Sequence, residues 1–344
     1  MLKKIAVVVL AVMLTLGMGA SVFADEADIV DTAIAAGDFE TLVTALTLTG
    51  LDDALRGDGP FTVFAPTDDA FAALPSGLLD KLLENPDILA DVLLYHVVEG
   101  EVMAADAVAL AGESVVTLSG QSVAISVDGG VFINDAEVTA TDIECTNGVI
   151  HVIDTVLIPE FDIVQTAIMN DDFDTLVAAL TATGLDEALQ GSGPFTVFAP
   201  TDAAFAALPD GLLEDLLADT DALSEILLYH VISGRVPAVD VLELDGEEVT
   251  ALSGQDLLIT IDDGVFVNES QVVVTDVECS NGIIHVIDAV LVPEALEDTD
   301  DEDVTEAPPI TEVPLPETGG PGATLALLGL VSVIGGAYLT TRRR

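Results

Sequence analysis

The chain repeats itself at a fixed offset of 134 residues, and no gap is needed to align the two halves. The segment from Gly59 to Pro75 recurs from Gly193 to Pro209 with a single difference. A period of this length matches the usual size of a domain and is too long for one unit of a solenoid. Because each repeat is long enough to bury its own core, the sequence predicts two homologous domains, at residues 26–159 and 160–294.

The connection between the two repeats is short. The junction runs from Ile158 to Phe161 without a flexible spacer. We therefore expect the domains to have restricted relative orientations, with Phe161 packing between them. Residues 295–314, after the second repeat, are rich in acidic residues and proline. Charge repulsion and proline stiffness predict an extended stalk there.

The amino terminus has the three parts of a secretory signal peptide. Lys3 and Lys4 supply positive charge, and an apolar stretch runs from Ile5 to Met18. Small residues then precede the bond between Ala24 and Asp25, where we expect cleavage. Residues 1–24 are therefore predicted to direct export of the mature chain.

The carboxyl terminus, residues 315–344, carries a pentapeptide, an apolar run from Ala323 to Thr341 and three arginines. The pentapeptide is Leu315, Pro316, Glu317, Thr318 and Gly319. This order resembles the sorting signal of LPxTG cell-wall-anchored surface proteins. The resemblance implies that a sortase-type transpeptidase joins Thr318 to the cell wall. The alternative is a plain transmembrane helix with the arginines on the cytoplasmic side, which would also display both domains outside the cell.

The balance of charge limits the possible partners. The chain has 61 acidic and 8 basic residues, and only Arg56, Lys81 and Arg235 are basic between the two ends, where the balance is 3 minus 61, or −58. Long-range repulsion excludes nucleic acid and anionic membranes as partners, and it favours diffuse association with divalent cations. We predict no dedicated metal site, because no acidic run has the spacing of a calcium-binding loop. A hydrophobic content of 51% nonetheless predicts a folded protein.

The first half of each repeat is predicted to be helical. Asp38 is expected to cap a helix that ends at Gly50, because apolar residues between them recur at helical spacing. A short buried strand follows from Phe61 to Phe64. Thr67 or Asp68 is then expected to cap the next of several helices, which continue to about residue 94.

The second half of each repeat changes to the period of a strand. After His96 the apolar residues alternate, and Asp128-Gly129-Gly130 between two such runs predicts a hairpin. Asn147-Gly148 predicts a turn that leads into a strand from Val149 to Ile158. Helices followed by strands within one repeat predict an α+β fold.

Two spaced signatures carry a family resemblance. The segments Phe61–Asp68 and Asn147–Asp154, with the pair Tyr95-His96 between them, resemble the fasciclin (FAS1) domain, and all three recur in the second repeat. The resemblance implies a β-sandwich or wedge with packed helices. It also implies extracellular adhesion to a matrix, carbohydrate or cell-surface partner. The residues of possible partner contact are Tyr95, His96, Tyr229 and His230.

The residues that could support catalysis have simpler explanations. His151 and its equivalent His285 lie in apolar strand segments, where a hydrogen-bonded structural histidine is expected. Cys145 and Cys279 are equivalent positions, so a disulfide between them would require the same site on both domains to meet. We expect two small buried residues there. No nucleophile motif accompanies the histidines, and we predict no catalytic residues, no cofactor and no enzyme activity.

The sequence therefore supports one leading hypothesis and two alternatives. The leading hypothesis is a wall-anchored surface protein that mediates adhesion or cohesion by binding. The first alternative is an acidic structural coat that buffers cations without a specific receptor. The second is an exported hydrolase or small-ligand carrier, for which the sequence offers no catalytic constellation.

Overall fold

The structure is a computed structural model of the 344-residue chain, and it describes residues 27–209 and 211–293. Within these ranges, no helix has both the length and the apolar character that a bilayer crossing requires. The predicted signal peptide, the stalk and the sorting signal lie outside the described residues. The domain boundaries given above stay predictions.

Each repeat places helices before most of its strands. The helices of the first repeat are α1 (Ile29–Ala36), α2 (Glu40–Thr49), α3 (Leu51–Leu55), α4 (Asp68–Ala72), α5 (Leu78–Glu84), α6 (Pro86–Tyr95) and α7 (Ala104–Ala109). Its strands are β1 (Phe61–Pro66), β2 (Val97–Glu99), β3 (Ser114–Val116), β4 (Ser122–Val127), β5 (Val131–Ile133), β6 (Ala136–Cys145) and β7 (Gly148–Ile153).

The second repeat has the same order of elements. Its helices are α8 (Ile163–Ile168), α9 (Asp174–Thr183), α10 (Leu185–Leu189), α11 (Asp202–Ala206), α12 (Leu212–Ala218), α13 (Thr220–Tyr229) and α14 (Ala238–Val241), with a 3-10 helix at Asp171–Phe173. Its strands are β8 (Phe195–Pro200), β9 (Val231–Ser233), β10 (Glu248–Thr250), β11 (Asp256–Asp262), β12 (Gly264–Val267), β13 (Ser270–Cys279) and β14 (Gly282–Ile287).

Each repeat forms one seven-stranded sheet. The order in the first repeat is β2-β1-β7-β6-β5-β4-β3, and the second repeat has the equivalent order. The strands β1 and β7 pair in parallel, and the other neighbours are antiparallel. Just past β3, the Leu118 amide donates to the Val97 carbonyl of β2 at 2.7 Å, which draws the two ends of the sheet together. The α+β prediction, with helices packed on a wedge-like sheet, is confirmed.

The two signature strands lie at the centre of the sheet, with apolar residues on both faces. Val63 and Ala65 of β1 pack with the helices, whereas Phe64 faces a second cluster inside the curved sheet. The strand β7 alternates in the same way, with Ile150 on the helix side and Ile153 on the sheet side. Because both faces are buried, these strands read as nearly continuous apolar runs in the sequence.

A buried amide ties the signature strands to the helices. Asn147 Nδ2 donates to the carbonyls of Leu55 at 2.7 Å and Gly57 at 3.0 Å, and its Oδ1 accepts from the Ile29 amide at 3.0 Å. Asn281 makes the same three bonds in the second repeat. One side chain therefore satisfies backbone groups at the start of α1 and beyond α3, so Asn147 does more than form the predicted turn.

Beside Asn147, two segments of the backbone pass so close to each other that only glycine fits in either segment. A Cβ atom on Gly59 would lie 2.2 Å from the Asn147 carbonyl oxygen, and one on Gly148 would lie 1.9 Å from the Phe61 carbonyl oxygen. Both residues also have positive φ values, 55° and 152°. Gly59, just before the first signature, and Gly148, within the second, are therefore required by close backbone approach.

Two local predictions were wrong in detail. The cap of α2 is Asp68, whose carboxylate accepts from the Glu40 amide at 3.2 Å and the Thr41 amide at 2.8 Å. Asp38, the predicted cap, instead uses its carbonyl to accept from the Asp68 amide. The final strand stops at Ile153, five residues before the predicted end, and the Asp154 side chain there accepts from the Glu137 amide.

The other local predictions are confirmed. Gly50 ends α2 in the left-handed conformation, and Thr67 caps α4 through its side chain. The predicted hairpin joins β4 and β5, which pair from Val127 to Val131 across the loop.

The distant cap provides a test of the first signature. We expect Asp68→Ala to lower the free energy of unfolding by about 1–2 kcal/mol, because two amides at the start of α2 lose their acceptor. Asp69→Ala should be neutral within about 0.5 kcal/mol, because its side chain is exposed and the second repeat already has Ala203 there. Urea unfolding of both variants measures the difference. Equal losses from the two substitutions would contradict the role of Asp68.

Candidate binding cleft at the junction of the two repeats

Polar contacts fix the two repeats against each other. Lys81 of α5 pairs with Asp171 at 2.7 Å, and its Nζ also donates to the Ile168 carbonyl at 3.4 Å. From the second repeat, Gln165 Nε2 donates to Asp91 Oδ2 at 2.7 Å. These contacts join α5 and α6 of the first repeat to the first helical turns of the second.

Apolar packing and the linker complete the junction. Phe161, Ile168 and Met169 of the second repeat pack against the hydrophobic cluster of the first. In the linker, the Glu160 amide donates to Gln121 Oε1 at 2.9 Å, and Gln121 Nε2 donates to the Glu160 carbonyl at 2.7 Å. The expected packing of Phe161 between the repeats is therefore confirmed.

A polar cleft of about 400 Å³ opens at this junction. The first repeat and the linker supply one wall. Residues near the starts of α8 and β14 and in the segment after α10 supply the other. The lining residues are Asp91, Ser119, Gln121, Pro159, Glu160, Asp162, Gln165, Gln190, Gly191, Ser192, Ser280 and Asn281. Junctions between domains are common positions for ligand sites.

The second-repeat wall of the cleft has lost charges that the first repeat retains. At the equivalent place, Arg56 pairs with Asp28 at 3.0 Å and with Asp31 at 2.7 Å. Three charged residues of the first repeat are replaced by neutral hydrogen-bonding residues. The replacements are Asp31 by Gln165, Arg56 by Gln190, and Asp58 by Ser192.

Gln165 organises the carboxylates that remain. The backbone amide of Gln165 donates to Asp162 Oδ1 at 2.7 Å. Its side-chain Oε1 accepts from the Asp162 backbone amide at 3.1 Å, and its Nε2 donates to Asp91. Burial raises the pKa of Asp162, although hydrogen bonds from the Gln165 and Val164 amides act in the opposite direction. The cleft therefore presents amides, hydroxyls and carboxylates that can exchange hydrogen bonds with a polar partner.

The residues proposed for partner contact lie inside the protein. Tyr95 and Tyr229 are each 5% exposed, and His96 and His230 are 1% and 2% exposed. The Tyr95 hydroxyl donates to the Ser122 carbonyl at 3.1 Å. In this structure the four side chains can affect a partner only through the elements that they hold in place, and their contact role stays a prediction.

Each of these histidines connects a helix to the segment beyond the last strand. His96 Nδ1 lies 2.7 Å from the Val92 carbonyl oxygen, and its Nε2 accepts from the Leu157 amide at 2.9 Å. These bonds require the neutral ring with its proton on Nδ1. His230 makes the same bonds to Ile226 and Leu291. Burial lowers the pKa of both rings to about 4, despite the bonds to helix carbonyls.

The other two histidines are structural, as the sequence predicted. His151 Nε2 lies 2.8 Å from the Val102 carbonyl oxygen, its Nδ1 accepts from the Asp142 amide at 3.3 Å, and its ring stacks on Phe64. His285 repeats the pattern, and burial lowers its pKa. No group of three or more histidine, cysteine, aspartate or glutamate residues in the described ranges has a metal-binding arrangement.

The cysteines are free, as predicted, and both are hydrogen-bonded. Cys145 donates to Thr32 at 3.3 Å, and Cys279 donates to Thr166 at 3.4 Å. Burial raises the pKa of both thiols, which keeps them protonated and slow to react. Cys279 is buried, whereas Cys145 is half-buried.

The sequence reasoning did not find the cleft. Its residues come from separate segments, and only Asn281 belongs to one of the signatures. A signal was nevertheless present, because alignment of the chain with itself shows Gln190 and Ser192 at positions that are charged in the first repeat. Only the structure shows that these positions share one cavity.

The buried histidines predict a defined loss of stability in mild acid. The pKa of His96 is about 4 in the folded protein, against 6.5 in the unfolded chain. Between these two pH values the unfolded chain binds more protons, so the free energy of unfolding falls as the pH is lowered. The loss by pH 5 should be about 2 kcal/mol per histidine. Asp68 and Asp202 contribute at lower pH, because their pKa values lie below 3.8.

Urea unfolding at pH 7 and pH 5, at constant ionic strength, measures this loss. His96→Gln should weaken the pH dependence of the first domain and leave that of the second, and His230→Gln should do the reverse. An unchanged pH dependence in both variants would contradict the assignment to these rings.

Comparison with known proteins identifies the family to which this chain is similar. The sequence model of the fasciclin domain matches residues 37–159 and 171–293. The chain is 32% identical over 249 residues to the transforming growth factor-beta-induced protein ig-h3 of Sus scrofa, which covers 70% of this chain but only 36% of that protein. It is 50% identical over 134 residues to protein sll1483 of Synechocystis, covering 38% of this chain and 73% of that protein.

A solved FAS1 domain pair from the insect cell adhesion molecule fasciclin I covers 76% of this chain and 99% of its own, with 19% identity and a TM-score of 0.36. The family match spans both repeats and includes both signatures. The chain therefore belongs to the fasciclin domain family and contains two fasciclin domains in tandem.

Proposed function

We propose that this protein is exported, anchored to the cell wall and active at the cell surface, where it mediates adhesion or cohesion by binding. The cleft between the two repeats is the proposed contact surface. The observation that carries this assignment is the absence of charge at three positions on the second-repeat wall of the cleft. In a region with a charge of −58, Gln165, Gln190 and Ser192 line the cavity at positions that are charged in the first repeat.

The chemistry of the cleft favours a neutral polar partner. Gln190 and Ser192 are exposed there, and strong repulsion from the rest of the protein acts against an anionic ligand. Hydrogen-bonding groups without charge act over short distances and are less affected by salt than ion pairs are. A matrix, carbohydrate or cell-surface partner fits these conditions, and we propose no catalytic role for the site.

The anchor rests on the sequence of the last 30 residues. The pentapeptide that ends in Thr318 and Gly319 precedes an apolar run and three arginines. A sortase-type transpeptidase would cleave after Thr318 and attach that residue to the wall. The acidic stalk would hold both fasciclin domains away from the envelope.

The charge of the chain favours a second candidate. An acidic coat protein would buffer cations and space cells without a receptor, and its cation association would be diffuse and sensitive to salt. Binding by a receptor is instead saturable at physiological salt and depends on particular residues.

Introducing charges at two neutral positions of the cleft distinguishes specific binding from the acidic coat. We expect Gln190→Arg with Ser192→Asp to abolish saturable binding of the purified mature protein to intact cells at physiological salt, because an ion pair would then replace the neutral amide and hydroxyl groups of the wall. The matched control, Arg56→Gln with Asp58→Ser, makes the reverse exchange on the first repeat and should bind normally. Both double substitutions leave the net charge unchanged, so an equal, salt-sensitive signal from all three proteins would support the coat instead.

Fractionation of producing cells tests the anchor. The native chain should end at Thr318 and remain joined to wall material, whereas Thr318→Ala should stay in the membrane fraction. Mass spectrometry of the carboxyl terminus gives the end point directly. A terminus at Arg344 in both proteins would contradict wall sorting and leave a membrane anchor.

A further inference from the structure

We propose that the surface joining the two repeats is a private interface, one that fits only the second repeat of the same chain. Each surface of the junction has an equivalent that faces away from it, and we call these two surfaces the outer faces. They are residues 27–37 of the first repeat and the helices α12 and α13 of the second. Molecules of this chain would self-associate if their outer faces fitted each other as the junction surfaces do. The second repeat of one molecule could in principle receive the first repeat of another in the same geometry. Such a head-to-tail contact is heterologous and would form an open chain of molecules.

The ion pair of the junction cannot form on the outer faces. The equivalent of Lys81 is Asp215, and the equivalent of its partner Asp171 is Gly37. The receiving surface of the second repeat therefore has a negative charge where the junction has a positive one, and the incoming surface has no side chain to pair with it.

The hydrogen bond of the junction becomes a repulsion. Gln165 donates to Asp91 at 2.7 Å, but the equivalent residues are Asp31 and Glu225, both carboxylates. Each already has a partner within its own repeat. Arg56 pairs with Asp31 at 2.7 Å, and Gln255 donates to Glu225 at 2.9 Å. Like charges at this distance oppose contact.

The apolar contact is also missing from the outer faces. Phe161 and Met169 pack against the first repeat, but their equivalents are Ala27 and Ala35. Ile168 is the one large residue of this group that recurs, and its equivalent Ile34 is 53% exposed.

The receiving side keeps one apolar residue and loses another. Leu83 packs with the first cluster and recurs as Leu217, which is 43% exposed. Ile88, which is 4% exposed in that cluster, is replaced by Ala222. Substitutions on both faces thus remove the ion pair, the hydrogen bond and most of the apolar contact. Discrimination against the wrong partner uses repulsion as well as lost attraction.

A variant of the junction that carries the residue types of the outer faces should no longer hold the two domains together. The variant Lys81→Asp with Gln165→Asp, Phe161→Ala and Met169→Ala places outer-face residue types at the four decisive positions of the full chain. We expect the two domains to separate, with a larger radius of gyration in small-angle X-ray scattering. The rotational correlation time in NMR relaxation should fall toward that of a single domain.

A matched variant places the reciprocal charges on the outer faces. Asp215→Lys with Asp31→Gln leaves the junction unchanged and should keep the native radius of gyration as a monomer at low concentration. Unchanged scattering and relaxation in the junction variant would overturn the proposal. Urea unfolding of the junction variant distinguishes loss of docking from loss of folding. If only docking is lost, each domain should still unfold in a cooperative transition.

The native chain provides a second, independent test. Sedimentation velocity in high salt, where the charge of the chain is screened, should show a monomer over the accessible concentrations. Head-to-tail oligomers in the native chain that are lost on Ile34→Asp would overturn the proposal, because they would show that the outer faces do meet.

Discussion

The fold of each repeat depends on one buried amide. Asn147 and its equivalent Asn281 each satisfy three backbone groups, the most distant of which lies 118 residues away from the asparagine in sequence. An apolar residue would remove all three bonds, including those to the Ile29 amide and the Leu55 carbonyl, which are buried in the first repeat. The glycines beside the amide let the two strands approach closely enough for it to reach both sides.

This arrangement explains why the two signatures of the sequence are far apart and yet act together. The first signature supplies β1 and the aspartate that caps α2, and the second supplies the amide and the parallel partner strand β7. The histidine of the Tyr-His pair then holds the segment that follows β7. The signatures are therefore contacts within a core, and their recurrence in both repeats reflects the requirements of folding. Function has to be sought where the repeats differ.

The junction and its outer equivalents are one place where the repeats differ in charge. The three basic residues between the chain ends illustrate this, since none of Arg56, Lys81 and Arg235 recurs at the equivalent position. Lys81 joins the repeats, Arg56 pairs with Asp28 and Asp31 in the first, and Arg235 pairs with Glu278 in the second. In a chain with so few cations, their places decide which acidic surfaces can approach each other. The same differences leave a polar cleft whose second-repeat wall has three uncharged positions, and this cleft is the proposed contact surface.

The sequence by itself determined the two repeats, the α+β order, the central strands and the hairpin, because these follow from periodicity and turn chemistry within short segments. It also identified His151 as structural and Phe161 as a residue between the repeats. Only the tertiary structure decided that Asp68 caps α2 in place of Asp38, that Asn147 joins distant segments, and that Gln165, Gln190 and Ser192 share one cleft. The physical reason is that a hydrogen bond between distant residues leaves no local period in the sequence. Such a bond depends on which surfaces meet, and in this chain the burial of two separate cores decides that.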